Sequence, residues 1–292
     1  MRIDLHTHSA VSDGTQSPTE LVRHAAEVGL DVMALTDHDT AESWAEARAA
    51  AADVALTLVP GIEVSCRHAG EGVHLLAYFP DPTHAGFVRE LGKILDGRNS
   101  RLPATLERLR GEGIDIDIRD VRRVARDAAA MGRPHVADAL VALGVVKDRD
   151  QAFAKYLAPG KPAYVDRYAA DLVAMIRLVA DAGGVSVIAH PWARHSHTAL
   201  DAAGLAALKS EGLAGIEVDH QDHAPETREQ LRGIARDLDL IATGSSDYHG
   251  TGKANHELGC NTTDPGQYER LLDLARAAAV ASGRATPEVP VG

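Results

Sequence analysis

The chain has 292 residues, 45% of them hydrophobic and only 4% aromatic, with a formal net charge of -12 at pH 7. That length holds one large domain or a domain with an insertion, and so acidic a surface repels nucleic-acid backbones in bulk, which argues against long duplexes as partners. Two cysteines are too few for a disulfide framework, no run approaches the roughly 18 apolar residues of a membrane span, and Met1-Arg2-Ile3-Asp4 enters a strand without a leader, so the expectation is a cytoplasmic protein with no membrane partner.

Residues 2–6 alternate as a short strand. Ser17-Pro18-Thr19-Glu20 is a helix start, with Ser at the N-cap, Pro at the first helical position and Glu at the third, and that helix stops at Gly29. Residues 31–36 form an apolar strand, 42–52 an Ala-rich helix, 54–59 a strand ending at Pro60-Gly61, and 72–79 another strand. From about 81 to 168 the pattern changes to helices and loops dense in arginine, which reads as a helical insertion over 97–167. Alternation resumes with helices near 169–182, 199–209, 226–237 and 265–282 and strands at 185–189, 215–218 and 240–243; residues 284–292 read as a tail. Repeated βα units predict an α/β fold, a (β/α) barrel of about seven strands formed by 1–96 and 168–283, with its chemistry at the C-terminal face.

Short polar motifs fall where those strands end. They are His6-Thr7-His8, Asp13 in a turn, Asp37-His38-Asp39, Glu63 after Gly61-Ile62, His74, Ala189-His190-Pro191, and Asp247-Tyr248-His249. Residues two apart on an extended segment face the same way, so His6 and His8 can reach one ion, and Asp247 and His249 repeat the spacing. Neutral imidazoles and carboxylates are ligands for divalent metals, and strand ends that converge describe one site. Cys66 and Cys260 stand outside these motifs and are not expected to be ligands.

The order HxH, Asp, TDHD, GxE, His, AHP and SDxH resembles the PHP (polymerase and histidinol phosphatase) family over about residues 1–260. Within it the resemblance is to the nucleoside 3′,5′-bisphosphate phosphatases and RNA 5′-end exonucleases, supported by Gly132-Arg133-Pro134-His135 in the insertion. It implies a distorted (β/α)7 barrel and two or three divalent ions, manganese first, with iron or zinc as alternatives. Carried over by position, one ion takes His6, His8, Glu63 and Asp247, a second Glu63, His74 and His190, and a third Asp13, His38 and His249.

Clustered ions hydrolyse phosphate esters by lowering the pKa of a bridging water, binding phosphoryl oxygens and stabilising the charge of the transition state. The expected reaction is therefore attack of a metal-bridging hydroxide on the 3′-phosphate of a nucleoside 3′,5′-bisphosphate, such as adenosine 3′,5′-bisphosphate, or on short 5′-phosphorylated RNA. Lys93, Arg98, Arg101 and Arg133 are candidates to clamp the second phosphate, because a guanidinium offers a bidentate fork, with Asn99 and His135 adding hydrogen bonds. His195, His220 and His223 are candidate acids for the leaving group, Trp192 a candidate for stacking a base, and Ser65 a further cavity residue. Arg108, Arg110, Arg119, Arg122, Arg123 and Arg126 read as an ordinary solvated face balanced by nearby carboxylates. Two alternatives stand beside this reading: a histidinol-phosphate-type phosphomonoesterase, and a non-catalytic metal-binding regulatory domain.

Overall fold

The computed structural model describes residues 1–126, 128–193 and 197–284. Seven strands form a nearly closed sheet in the order β1 (Ile3–Thr7), β2 (Val32–Leu35), β3 (Thr57–His68), β4 (Glu71–Tyr78), β6 (Val185–Ile188), β7 (Gly215–Asp219) and β8 (Ile241–Gly244). A two-residue β5 (Ala170–Asp171) pairs with β3 off this path. A parallel bridge from Thr7 to Tyr248 and a hydrogen bond from the His8 N–H to the Tyr248 carbonyl, 2.9 Å long, bring the two edges together.

The barrel is not uniformly parallel. β3 runs straight through Pro60-Gly61, past the end expected at residue 59, and turns at Ala69 and Gly70 into an antiparallel hairpin with β4. Both turn residues have positive φ, 48° and 85°, the two-residue hairpin geometry whose twist matches the flanking strands. β4 is also antiparallel to β6, and every other neighbouring pair is parallel. Gly61 is required inside β3: a Cβ there would stand 2.7 Å from the Thr36 methyl.

Strand alternation divides the core. Val32 and Ala34 pack with Ile3, Leu5, Val59, Val187 and Ile241, while Met33 and Leu35 pack on α1 (Pro18–Glu27) and α2 (Trp44–Ala51). α1 begins with the capping box read from the sequence: Ser17 Oγ accepts from Glu20 N and Glu20 Oε2 accepts from Ser17 N. α7 (Leu172–Asp181), α8 (Ala202–Ser210) and α9 (Pro225–Asp237) cover the second half, and α10 (Pro265–Ala281) packs on β6 and β8. Among the described residues no helix is long and apolar enough to cross a membrane.

Between β4 and β5 lies a helical layer with its own core. Leu102, Leu106, Leu109, Val121, Val136, Leu140 and Leu157 pack together from the end of α3 (Ala85–Gly111), α4 (Ile118–Ala125), α5 (Arg133–Ala142), α6 (Arg149–Ala152) and the turn that follows it. α3 begins against the barrel, where Phe87 and Leu91 join the main core, and ends in this layer. Residue 97, read as the start of the insertion, therefore lies inside one continuous helix. We call this layer the cap.

Candidate metal centre and arginine cleft

The strand ends converge on Glu63. Its Oε2 lies 3.1 Å from His8 Nε2, 3.1 Å from His38 Nδ1 and 3.3 Å from His6 Nε2. Its Oε1 lies 2.6 Å from His74 Nδ1 and 3.1 Å from His190 Nε2. Glu63 and His74 meet because the hairpin pairs Glu63 with Leu76, which sets His74 diagonally across on the same face. Asp247 Oδ1 stands 3.4 Å from both His6 Nε2 and His8 Nε2, and Asp13 lies 3.3 Å from His249 Nε2 and 3.6 Å from His38 Nε2. All nine ligand candidates thus gather in one cluster, with the His38 and His249 side chains about 10% exposed, His74 about 18%, and the others more deeply buried. The grouping differs in detail from expectation: His8 also joins Asp13, His38 and His249, and His38 also joins Glu63 and His74.

This donor set fits divalent cations. Asp247 Oδ1 and His38 Nδ1 are buried with no hydrogen-bond partner although each lies near other ligand atoms. Ligand atoms that crowd together with too few protons to pair them are what a cation satisfies. Tautomers agree: His6 Nδ1 faces Glu217 Oε1 at 3.2 Å and His249 Nδ1 donates to the Asp247 carbonyl at 2.8 Å, leaving both Nε2 lone pairs turned to the cluster. Burial opposes the charged form of His8, but Asp247, Glu63 and Asp13 outweigh it and raise this imidazole to about 9. Burial likewise pushes Glu63 up, yet the charges of His74, His38 and His6 hold it well below the usual carboxylate range. Binding of cations here replaces protons on imidazole.

The backbone is strained at the cluster: Asp39, His190 and Asp247 have φ of 59°, 30° and 52°. Side chains absent from the sequence reading hold these turns. Glu217, fully buried on β7, accepts the His190 N–H at 2.7 Å on Oε2 and the Ser245 hydroxyl on Oε1. Burial opposes its charge, but His6, His220 and His190 bring it down to about 2. Asp37 accepts from Ser9 N (2.8 Å), Ser9 Oγ (2.7 Å) and Ser12 Oγ (2.6 Å), which folds the loop that carries Asp13. His220 Nδ1 accepts from Asp222 N, so its Nε2–H donates to Asp247 Oδ2 at 3.3 Å, and the Lys253 ammonium reaches the same oxygen at 2.5 Å. One Asp247 oxygen is thereby used by the protein and the other is left to the cluster. The available signal for Glu217 was a single acid inside the apolar strand Gly215-Ile216-Glu217-Val218.

A narrow cleft, with enclosed room for about one water, joins this cluster to the cap, lined by Val11, Ser12, Asp13, His38, Arg98, Ala130 and His135. Arg98 donates from Nε to Asp39 Oδ2 (2.7 Å) and from Nη2 to Ser65 Oγ (3.0 Å), which puts Ser65 beside the cleft. His135 Nδ1 accepts from Gly132 N at 3.0 Å, leaving its Nε2–H as a donor. Arg101 is 8% exposed, and its guanidinium has no hydrogen-bond or ion-pair partner among the described residues. Burial and the charges of Arg133, Arg167 and Arg98 push it down to about 8. Arg133 donates to the Leu157 carbonyl (3.1 Å) and lies over the rings of Phe153 and Tyr164. Arg167, which carries no sequence motif, is driven to about 10 by burial and by Arg98, with Asp39 opposing.

Other candidates lie apart from the cleft. Lys93 is 53% exposed and pairs with Glu90, and Asn99 accepts from Met131 N and so holds a cap turn. His223 is buried against Val218, its Nδ1 donating to that carbonyl at 2.9 Å and its Nε2 left without a partner. Trp192 donates to the Leu200 carbonyl and packs on the main core, and His195 lies outside the described residues. Arg119 and Arg123 pair with the exposed-face carboxylates Asp117 and Asp120, as the solvated-face reading expects.

Comparison with known proteins bears on the chemistry. The PHP domain family matches residues 4–105. The chain is 34% identical to a 3′,5′-nucleoside bisphosphate phosphatase of Chromobacterium violaceum over 88% of its length and 90% of the relative. It is 35% identical to a 5′-3′ exoribonuclease of Haemophilus influenzae, over 85% and 90% of the two chains. A solved structure assigned to the metal-dependent phosphoesterases, from Bifidobacterium adolescentis, superposes with a TM-score of 0.89 at 36% identity, covering 93% of this chain and 96% of that one.

Proposed function

Because the chain belongs to the PHP family and is a metal-dependent phosphoesterase that uses divalent ions, we propose that it removes the 3′-phosphate from nucleoside 3′,5′-bisphosphates. The observation that carries this reading is the buried Arg101, without a partner among the described residues and close enough to Arg98, Arg133 and Arg167 for their charges to act on it, with Arg98 itself lining the cleft beside the ligand cluster. Four guanidiniums sharing a low-dielectric space repel one another, and an anion with two or more charges relieves that repulsion.

The metal ligands in this reading are His6, His8, Asp13, His38, Glu63, His74, His190, Asp247 and His249, with manganese the first choice. Bound there, divalent ions lower the pKa of water and hold phosphoryl oxygens. The chain supplies the rest. Glu217 fixes the His6 tautomer and anchors the strained His190 backbone, so both rings keep their aim. His135 offers an N–H at the cleft wall, and Arg98, braced by Asp39 and Ser65, presents its fork between cluster and cap. The Nε2 of His223, buried without a partner and held below the ordinary imidazole range by burial, offers an acceptor for a substrate hydroxyl. Residues 97–167 serve as the substrate cap on a barrel of 1–96 and 168–283.

The same arrangement accommodates a 5′-phosphorylated RNA end, because only the group on the 3′-oxygen changes; the names of the two relatives span both substrates. An amine such as histidinol phosphate calls for a carboxylate pocket, and the cleft presents guanidiniums instead. Two free cysteines accord with a reducing cytoplasm. The test is phosphate release from adenosine 3′,5′-bisphosphate, 5′-AMP, 3′-AMP, histidinol phosphate and a 5′-phosphorylated RNA trimer by manganese-loaded protein. Turnover of the bisphosphate well above either monophosphate is expected; activity confined to histidinol phosphate overturns the reading.

A further inference from the structure

One cap side chain reaches the backbone of the loops that carry the metal ligands. Arg149, at the start of α6, is 12% exposed and pairs fork to fork with Asp138 of α5: Nε donates to Oδ1 and Nη2 to Oδ2, each at 2.6 Å. Its remaining nitrogen, Nη1, donates to the Asp13 carbonyl at 3.1 Å. The guanidinium also lies against Gly252, where an added Cβ would come within 2.3 Å of Nη1, and Gly252 N in turn donates to the His249 carbonyl at 3.3 Å. Asp13 and His249 are two members of the group His8, Asp13, His38 and His249. A second tie fastens the same loop to the cap, Ala129 N donating to the Val11 carbonyl at 2.8 Å. Among the described residues no comparable hydrogen bond joins the cap to the backbone at His6, Glu63, His74 or Asp247.

We propose that Arg149 is a positioning residue that couples docking of the cap to ion binding at Asp13, His38 and His249. This rests on the reading that those residues hold a divalent ion. The Asp13 loop is otherwise held by the buried Asp37 carboxylate, which accepts from Ser9 and Ser12, and by short-range backbone bonds, Ala10 N to the Gln16 carbonyl and Gly14 N to the Ser9 carbonyl, but none of these reaches the Asp13 carbonyl itself. Arg149 fixes the Asp13 peptide plane from outside and thereby the direction of its carboxylate. The Asp138 fork keeps the guanidinium from swinging away. Coupling is reciprocal, so an ion bound there also holds the cap down over the cleft. The other two ion groups share His8 and His38 with this one, but among the described residues their remaining ligands receive no such backbone tie from the cap.

The experiment is manganese binding to metal-free protein, followed by calorimetry and by the electron paramagnetic resonance of free ion, with hydrogen exchange of residues 118–157 read at each step. Wild-type protein, Arg149→Lys, Asp138→Asn and Asp13→Asn are compared. Wild type is expected to take three ions, the last one protecting the cap amides. Arg149→Lys is expected to weaken that last ion about 10- to 100-fold, the cost of disturbing a group that orients a ligand, with the first two ions unchanged and the cap protection lost. Asp138→Asn, a milder change, is expected to move the same ion in the same direction. Loss of the third ion in Asp13→Asn with wild-type binding in Arg149→Lys and Asp138→Asn overturns the role of Arg149 and leaves the ion site standing. Absence of a third ion in wild type overturns the site itself, and this proposal with it.

Discussion

Glu63 collects five imidazoles that the chain delivers mostly one strand end at a time, whereas Arg98, Arg101, Arg133 and Arg167 come from one long helix, one short helix and the segment that returns to the barrel. The first group is placed by backbone: sheet register and strained turns set where each ring can point, and short side chains leave little freedom. The second is placed by charge and burial at the ends of long stems. A site that must hold ions to a fraction of an ångström is built the first way, and a site that must accept a flexible, doubly charged ligand is built the second.

Substitution within the ligand cluster breaks this contrast at its strong end. Asp247→Asn or Glu63→Gln is expected to lower turnover by more than the roughly 100-fold that disturbing a ligand's support costs, and steady-state assay in saturating manganese reads it. Retention of full activity in either variant removes that residue from the metal centre. Loading the metal-free protein with manganese to about 100 times Kd is expected to add about 2.7 kcal/mol for each ion bound, which in a chain of this size lifts the melting midpoint by about 4 °C per ion. Calorimetric scans with and without chelator check it.

In the arginine cleft the effect is smaller and selective. Arg101→Met removes a charged hydrogen-bonding group worth about 1.5–3 kcal/mol, so kcat/KM for the bisphosphate is expected to fall about 10- to 100-fold while that for a simple monoester is unchanged. An equal loss on both substrates shows that Arg101 acts through the fold. Glu217→Gln keeps the shape but not the charge behind His6, and about a 10-fold loss of metal affinity is expected, measured by competition with a chelating dye. Lys93→Ala, on the exposed face of α3, is expected to change kcat/KM by less than about threefold, as surface substitutions do; a larger change returns Lys93 to the cleft.

The same contrast explains what was legible in the chain. His6, His8, Asp247 and His249 were readable because extended backbone turns a spacing of two into a shared direction, and strands announce themselves by alternation. Arg98 and Arg101 could be named but not separated from Lys93, since all three lie on one helix and only packing decides which face is buried. Arg167 carried no motif, and Glu217 only the oddity of an acid within an apolar strand. The β3–β4 hairpin was hidden by its turn, Ala69-Gly70 in place of the Asn-Gly or Asp-Gly that marks such turns, and by Pro60 inside β3, which reads as a strand end. His84, at the start of α3, likewise gave no sign that its ring caps a helix by accepting from Phe87 N.

The hairpin also bears on how the molecule assembles. Its pairing closes residues 3 to 17 positions apart, so it forms without the longer loop closures that the parallel pairs demand, and local pairings of this kind are the quick ones. Glu63 and His74 therefore come into register early, on a ribbon whose other ligand-bearing neighbours arrive later. A slip of one residue would turn either side chain to the opposite face, so the fidelity of one tight turn at Ala69-Gly70 decides whether the later strands find their carboxylate waiting. The nascent chain carries this seed within its first 80 residues, well before His190, Asp247 and His249 have been synthesised.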